Sequence, residues 1–115
     1  SVSAFLLNRS SDLSFFENYV INLFLKKAFN KGESPQLSFW RDNKGNEVDL
    51  LESIDGKQFA YEIKSGKTYS TDYAHSLKYW AGLSLTDAEH CNIVYGGDKP
   101  MKMSEFNLLT INDLQ

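Results

Sequence analysis

A two-residue turn sequence, Asp55-Gly56, separates two stretches of the chain that have the composition of β-strands. Asp-Gly is favoured at the centre of tight hairpin turns, because both positions there need positive φ angles. The strands predicted on either side cover residues 47–52 and 58–64, and the second alternates cleanly between apolar and polar residues. A two-residue turn at this place pairs Ile54 with Lys57, which sets the register of the whole hairpin.

Further elements are predicted on both sides of this hairpin. Residues 14–30 suit a helix that Ser14 can cap, and apolar positions nearly encircle its axis, so we expect it to be buried on most sides. The remaining predicted elements are a strand at 37–41, a helix at 71–81 that Gly82 ends, a strand at 91–95 and a short edge strand within 106–111. This order predicts an α/β fold with an α-β-β-β-α-β core, in which helices flank a mixed sheet of four or five strands.

The composition limits the chain to one globular domain. Its 115 residues, 42% of them hydrophobic, suffice for one core, which we assign to residues 14–115, with 1–13 as a lead-in or linker. No apolar stretch approaches the roughly 18 residues of a membrane span, and none resembles a secretory leader. The single cysteine, Cys91, excludes an internal disulfide and favours a reducing, cytoplasmic setting. The start without methionine leads us to expect a fragment of a longer protein.

The predicted register brings two acidic residues together on one face of the sheet. With Ile54 opposite Lys57, Asp49 lies opposite Glu62, and directly opposed residues have Cβ atoms roughly 5 Å apart. Two carboxylates at this separation repel each other unless they share a proton, meet a cation or bind a metal. Lys64 follows two residues after Glu62, so it shares that face. We therefore expect a cluster of two acids and one base, separate from the apolar face of the same strand.

A third acidic residue, Glu17, is placed by the first helix. At about 100° per residue, it lies well away from the polar stripe of the helix, among apolar side chains. We therefore expect its carboxylate to point into the protein, where a charge needs a partner such as Lys64 or a shared cation. Its position three residues after Ser14 also fits a capping box, which would give it a structural role alone.

These residues belong to a longer series of motifs along the chain. The signature is Asp49, a spacing of twelve residues, and then Glu62-Ile63-Lys64. The accompanying segments are Phe16-Glu17-Asn18-Tyr19-Val20, Phe39-Trp40-Arg41-Asp42, Asn46-Glu47-Val48-Asp49-Leu50-Leu51, Tyr61-Glu62-Ile63-Lys64-Ser65-Gly66-Lys67-Thr68 and Val94-Tyr95-Gly96-Gly97. The signature resembles that of the PD-(D/E)XK nuclease superfamily. The accompanying segments resemble one uncharacterised branch, the nuclease-like domain that follows an AAA-type ATPase domain in many bacterial and archaeal proteins.

The resemblance implies a restriction-endonuclease-like fold and metal-dependent hydrolysis of phosphodiesters. Asp49 and Glu62, with the backbone carbonyl of Ile63, would hold Mg²⁺ or Mn²⁺, and Glu17 would be an outer or second ligand. The metal would polarise the scissile phosphate and lower the pKa of a bound water. Lys64 would orient that water or stabilise charge on the phosphorane.

The resemblance also implies partners. Nucleic acid, DNA in the first place, would be the substrate, and the chain's own ATPase domain would lie before Ser1. No complete phosphate-binding loop is present in the sequence, because Gly66-Lys67-Thr68 lacks the glycine five residues before Gly66, so ATP would bind in the ATPase domain alone. We expect no membrane partner, and the sequence leaves the oligomeric state and the choice between DNA and RNA open.

Structural roles stay open for the same residues. Asp49, Glu62 and Lys64 can form an ordinary cross-strand ion network. The register places Glu47 opposite Lys64, and an ion pair between these two would draw the lysine away from catalysis. A catalytically silent module that recognises DNA or a protein for the ATPase is therefore the alternative to a nuclease.

Other residues give weaker signals. The net charge of −3 argues against strong non-specific binding to nucleic acid, because such binding neutralises phosphates. We expect His75 and His90 at the solvated surface, and Cys91 as a small buried apolar residue.

Overall fold

The fold is built on a mixed β-sheet of six strands with one α-helix against each face, within the residues that the computed structural model describes, 14–32 and 36–115. The helices are α1 (Phe15–Asn30) and α2 (His75–Ser84). The strands are β1 (Leu37–Arg41), β2 (Glu47–Ile54), β3 (Lys57–Lys64), β4 (Cys91–Tyr95), β5 (Met101–Lys102) and β6 (Asn107–Leu109). Short 3₁₀ turns cover Thr71–Ala74, Ala88–His90 and Ile111–Leu114. The predicted lead-in, residues 1–13, lies outside the described residues.

The predicted α/β fold and its α-β-β-β-α-β order are confirmed. The strand order across the sheet is β1-β2-β3-β4-β6-β5, with β1, β2 and β3 antiparallel to one another. The crossover through α2 makes β4 parallel to β3, and β6 is in turn parallel to β4. The predicted four or five strands become six, because β5 has too few residues to show a periodic pattern. β5 pairs antiparallel with β6 on its outer side, so the predicted edge strand, β6, is the second strand from that edge of the sheet.

The predicted hairpin register is also confirmed. Asp55 and Gly56 both have positive φ angles, 51° and 79°, as the two-residue turn requires. Pairing begins with Ile54 opposite Lys57 and continues in step to Leu50 opposite Tyr61. The turn chemistry of two residues thus sets which side chains of β2 and β3 share a face.

Helix α1 is buried on one side only. Ser14 caps it, because its hydroxyl oxygen accepts a hydrogen bond from the backbone N–H of Glu17 at 3.2 Å. Its buried side chains, and the sheet residues that they contact, are Val20, Ile21, Phe24 and Leu25 against Leu50, Ile63 and Val94. In contrast, Phe15 and Phe29 are 96% and 60% exposed. The expectation of burial on most sides is wrong, because the sheet covers one side of α1 and no described element covers the other.

Helix α2 packs against the opposite face of the sheet. Its buried residues and their sheet partners are Leu77 and Trp80 against Val48, Leu51, Ala60 and Ile93. The helix continues past Gly82, predicted as its end, to Ser84, and Leu85 closes it with a left-handed φ of 56°. In the described part of the chain, no helix is both long and apolar enough to cross a membrane.

Candidate functional site

A β-bulge in β2 shapes the place where the two acidic residues meet. Ser38 of β1 pairs with Leu51, whereas Trp40 pairs with Val48, so two steps along β1 correspond to three along β2. The extra residue lies at Asp49 or its neighbour Leu50. Bulges of this kind bend a strand and redirect its side chains. The regular pairing of β2 with β3 also ends with Leu50 opposite Tyr61, one residue before Asp49.

The carboxylate of Asp49 bonds to β3 just beyond the end of this pairing. Its Oδ2 accepts a hydrogen bond of 2.8 Å from the backbone N–H of Ile63. A side-chain oxygen therefore satisfies a backbone donor of β3 beyond the end of the regular ladder. Asp49 is only 4% exposed, so this bond holds its carboxylate in a fixed position within the core.

Glu62 completes a buried pair with Asp49. It is 3% exposed, and its side chain is hydrogen-bonded to that of Asp49. Burial raises the pKa of Glu62 far above its usual range, and the hydrogen bond and negative charge of Asp49 raise it further. The positive charge of Lys64 opposes this rise, and Glu47 adds to it. The raised pKa keeps Glu62 protonated near neutral pH in the absence of a cation, and this proton relieves the repulsion between the two carboxyl groups.

Lys64 lies on the same face, near the carboxyl end of β3. Its ammonium is 6.0 Å from the ring centre of Tyr73, which precedes α2. Among the described residues it forms no ion pair within 4 Å. Glu47, the cross-strand partner considered for Lys64, instead forms an ion pair of 3.2 Å with Arg41. The described structure thus keeps the lysine available beside the acidic pair.

Glu17 stands apart from this pair. It belongs to α1, which packs against the face of the sheet opposite to α2. Its side chain is half-buried, whereas the sequence predicted a carboxylate pointing into the protein. In the described ranges, no three side chains of Asp, Glu, His or Cys lie close enough together to hold a metal. The structure therefore unites Asp49 and Glu62 but does not add Glu17 to them, and its role as a ligand stays a prediction.

Two loops meet at the carboxyl ends of β3 and β4, a feature that the sequence analysis did not identify. The backbone N–H of Gly96 donates a hydrogen bond of 2.9 Å to the carbonyl of Gly66. A Cβ atom on Gly96 would overlap the carbonyl of Ser65, and one on Gly66 would overlap the hydroxyl of Tyr73. Glycine at position 96 lets the two backbones approach, and glycine at position 66 leaves room for the side chain of Tyr73. The segment that follows Lys64 is therefore held tightly in place.

The remaining candidate residues have structural surroundings. His90 was expected at the surface, but its ring packs against Phe59 with centroids 4.5 Å apart and is half-buried. His75 is exposed, as predicted. Cys91 is buried, also as predicted, and burial raises the pKa of its thiol to about 11.

Comparison with known proteins gives a family for the chain. Searches of curated proteins and of solved structures found no match. One family model, described as a domain of unknown function (DUF4143), matches residues 14–114. The match covers both helices and all six strands of the described fold, together with Asp49, Glu62 and Lys64. The chain therefore belongs to the DUF4143 family.

Proposed function

We propose that this chain is a nuclease-like domain that hydrolyses phosphodiester bonds of nucleic acid with the help of Mg²⁺ or Mn²⁺. The observation that carries the proposal is the buried pair of Asp49 and Glu62, with Lys64 on the same face. A protein gains no stability from burying two acids against each other, because their mutual repulsion must be relieved. A buried pair of acids is therefore typical of a site that binds a cation, because the cation relieves the repulsion between the carboxylates.

The residues present fit a magnesium-like ion. Mg²⁺ is commonly bound through one or two carboxylates, with water and substrate phosphates filling the other positions. That no three Asp, Glu, His or Cys side chains among the described residues are grouped to hold a metal is therefore compatible with such an ion. Asp49 and Glu62 would hold it, with the backbone carbonyl of Ile63 as a further oxygen ligand and Glu17 as an outer one. When bound, the ion polarises the scissile phosphate and lowers the pKa of a bound water.

The chain's own residues supply the rest of the chemistry. Because the backbone N–H of Ile63 donates to Oδ2 of Asp49, the carboxylate keeps its orientation. Glu62 would hold such an ion only in its ionised form, with its proton released to solvent, because carboxylate ligands bind metals deprotonated. Lys64 places a positive charge beside the pair, where it orients the attacking water or stabilises negative charge on the phosphorane.

The resemblance in motifs extends the proposal beyond this site. It relates the fold to the PD-(D/E)XK superfamily and supports an AAA-type ATPase domain as a partner within the same protein. The α-β-β-β-α-β order and the placement of the signature residues on β2 and β3 agree with that relationship. DNA is the substrate that we propose first.

A silent recognition module is the second candidate. It is favoured by the lack of three Asp, Glu, His or Cys side chains grouped to hold a metal in the described residues and by the net charge of −3. In that case Glu62 would keep its proton, and the fold would bind DNA or a protein without cleaving it.

The deciding experiment is a cleavage assay with single- and double-stranded DNA and RNA, in Mg²⁺, Mn²⁺ or EDTA. We expect metal-dependent cleavage by the wild type and its loss in Glu62→Ala and Asp49→Asn. Glu89→Gln is the matched control, because Glu89 is an exposed acid away from the site. Cleavage that persists in Glu62→Ala would refute the proposal, and binding without cleavage by the wild type would favour the silent module.

A further inference from the structure

The side chain of Lys64 needs something that holds its ammonium beside the acidic pair. A lysine side chain is long and flexible, and an unrestrained one spends little time in any single position. Among the described residues, Lys64 has no ion pair within 4 Å, and its close neighbour is the ring of Tyr73 at 6.0 Å. An aromatic face carries negative potential and attracts a cation at this distance.

The ring of Tyr73 is itself held from two sides. It packs perpendicular to Tyr69 at 5.9 Å, and Tyr69 in turn packs against the buried Phe106 at 5.9 Å. Its hydroxyl lies where a side chain on Gly66 would be, so the tyrosine also covers the loop that follows β3. The backbone N–H of Tyr73 donates to the carbonyl of Ser70 at 3.0 Å, which closes the turn that presents the ring.

The neighbouring acid, Asp72, does not take this role. Its carboxylate accepts a hydrogen bond from the hydroxyl of Ser70, and this bond is the main reason why the pKa of Asp72 is lowered. The charge of Lys64 makes the smallest contribution to that lowering. Asp72 forms no ion pair with Lys64 within 4 Å, whereas the ring centre of Tyr73 lies 6.0 Å from its ammonium, so the ring is the surface against which the lysine rests.

We infer that Tyr73 is a positioning residue, which holds the ammonium of Lys64 over its ring and thereby keeps it beside Asp49 and Glu62. This inference rests on the proposed function for its catalytic consequence, but the contact itself does not. The hydrogen bond between Gly66 and Gly96 supports the same arrangement, because it fixes the backbone immediately after Lys64.

The contact is tested first by proton NMR, independently of any activity. Protons held over an aromatic ring resonate upfield, so the ε-CH₂ protons of Lys64 should lie upfield of those of the exposed Lys57. The upfield shift should remain in Tyr73→Phe, which keeps the ring, and disappear in Tyr73→Leu. The matched control is Tyr79→Leu, which removes an aromatic ring that packs against Trp40 and not against Tyr73. A shift that persists in Tyr73→Leu, or that is lost equally in Tyr79→Leu, would overturn the inference.

The catalytic consequence is tested by steady-state cleavage with the same variants. Tyr73→Leu should lower kcat about tenfold while KM stays within about twofold, because a misplaced lysine weakens interactions made in the transition state. Tyr73→Phe should restore nearly wild-type kcat. A raised KM with unchanged kcat would overturn the inference, since it would mean that Tyr73 binds substrate. If the wild type cleaves nothing while the NMR contact is present, the proposed function fails and the positioning of Lys64 by Tyr73 is upheld.

Discussion

Replacing Glu62 by glutamine should stabilise the metal-free protein, and by an amount that grows with pH. Glu62 is protonated in the folded chain at pH values where it is ionised in the unfolded chain, because its folded pKa is raised well above its usual value of 4.5. Unfolding then releases a proton, so the free energy of unfolding falls as pH rises from 4.5 towards the folded pKa. Glutamine keeps the size of the side chain and can donate a hydrogen bond to Asp49, but it does not titrate.

The magnitude follows from the proton linkage. One released proton changes the free energy of unfolding by about 1.4 kcal/mol per pH unit. Glu62 is 3% exposed, so solvent screening reduces the shift of its pKa little. At pH 7.5 the gain from Glu62→Gln reaches an upper bound of about 4 kcal/mol, and rearrangement of the pair with Asp49 lowers it.

Urea unfolding in EDTA at pH 5.5, 6.5, 7.5 and 8.5 measures this effect. The curves of wild type and Glu62→Gln should separate progressively as the pH rises, with similar m values. Glu89→Gln, at an exposed position, should follow the wild type at every pH. A constant difference between Glu62→Gln and wild type across the four pH values would refute the reasoning, because it would show that Glu62 titrates normally in the folded chain.

Three further predictions concern the site and its support. Mn²⁺ should raise the Tm of the wild type, with a stabilisation of about 2.7 kcal/mol at a concentration a hundred times Kd, and Asp49→Asn should abolish the response, as thermal denaturation with and without Mn²⁺ will show. Glu17→Gln should weaken the same response less than Asp49→Asn does, because the structure does not place Glu17 with the acidic pair; an equal loss in the Mn²⁺ titration would make Glu17 a direct ligand. Gly96→Ala should destabilise the chain by about 1–3 kcal/mol, since the new Cβ overlaps the carbonyl of Ser65. Gly82→Ala should instead stabilise the chain by about 0.5–1 kcal/mol, because position 82 lies in α2 with open surroundings. Urea unfolding of the two alanine variants compares them, and equal effects would contradict the loop contact.

The sequence by itself determined the elements and the pairing of the acids. The Asp55-Gly56 turn and the alternation of β3 are local signals, and a two-residue turn leaves one register for the hairpin. Because Asp49 and Glu62 lie on the two strands of that hairpin, the register that the turn sets brings them together. Their buried hydrogen bond to each other agrees with that prediction.

The sequence did not determine how each element is covered. The apolar residues around α1 indicated burial on most sides, but a helix is buried only where another layer contacts it, and the described sheet covers one face. The same reason explains why His90 is half-buried, because the folded chain places its ring against that of Phe59. The amphipathic pattern of a helix predicts which of its residues can be buried. The elements that pack against the helix decide which of those residues are buried.

Only the tertiary structure decided how the site is built. The bulge at Asp49 depends on pairing with β1, and it lets the carboxylate bind the N–H of Ile63. The ring of Tyr73 reaches Lys64 because the chain turns back at the end of β3 to begin α2. These contacts join residues whose spacing in the sequence gives no periodic pattern. The contacts form only when the sheet and the crossover through α2 have brought the residues together.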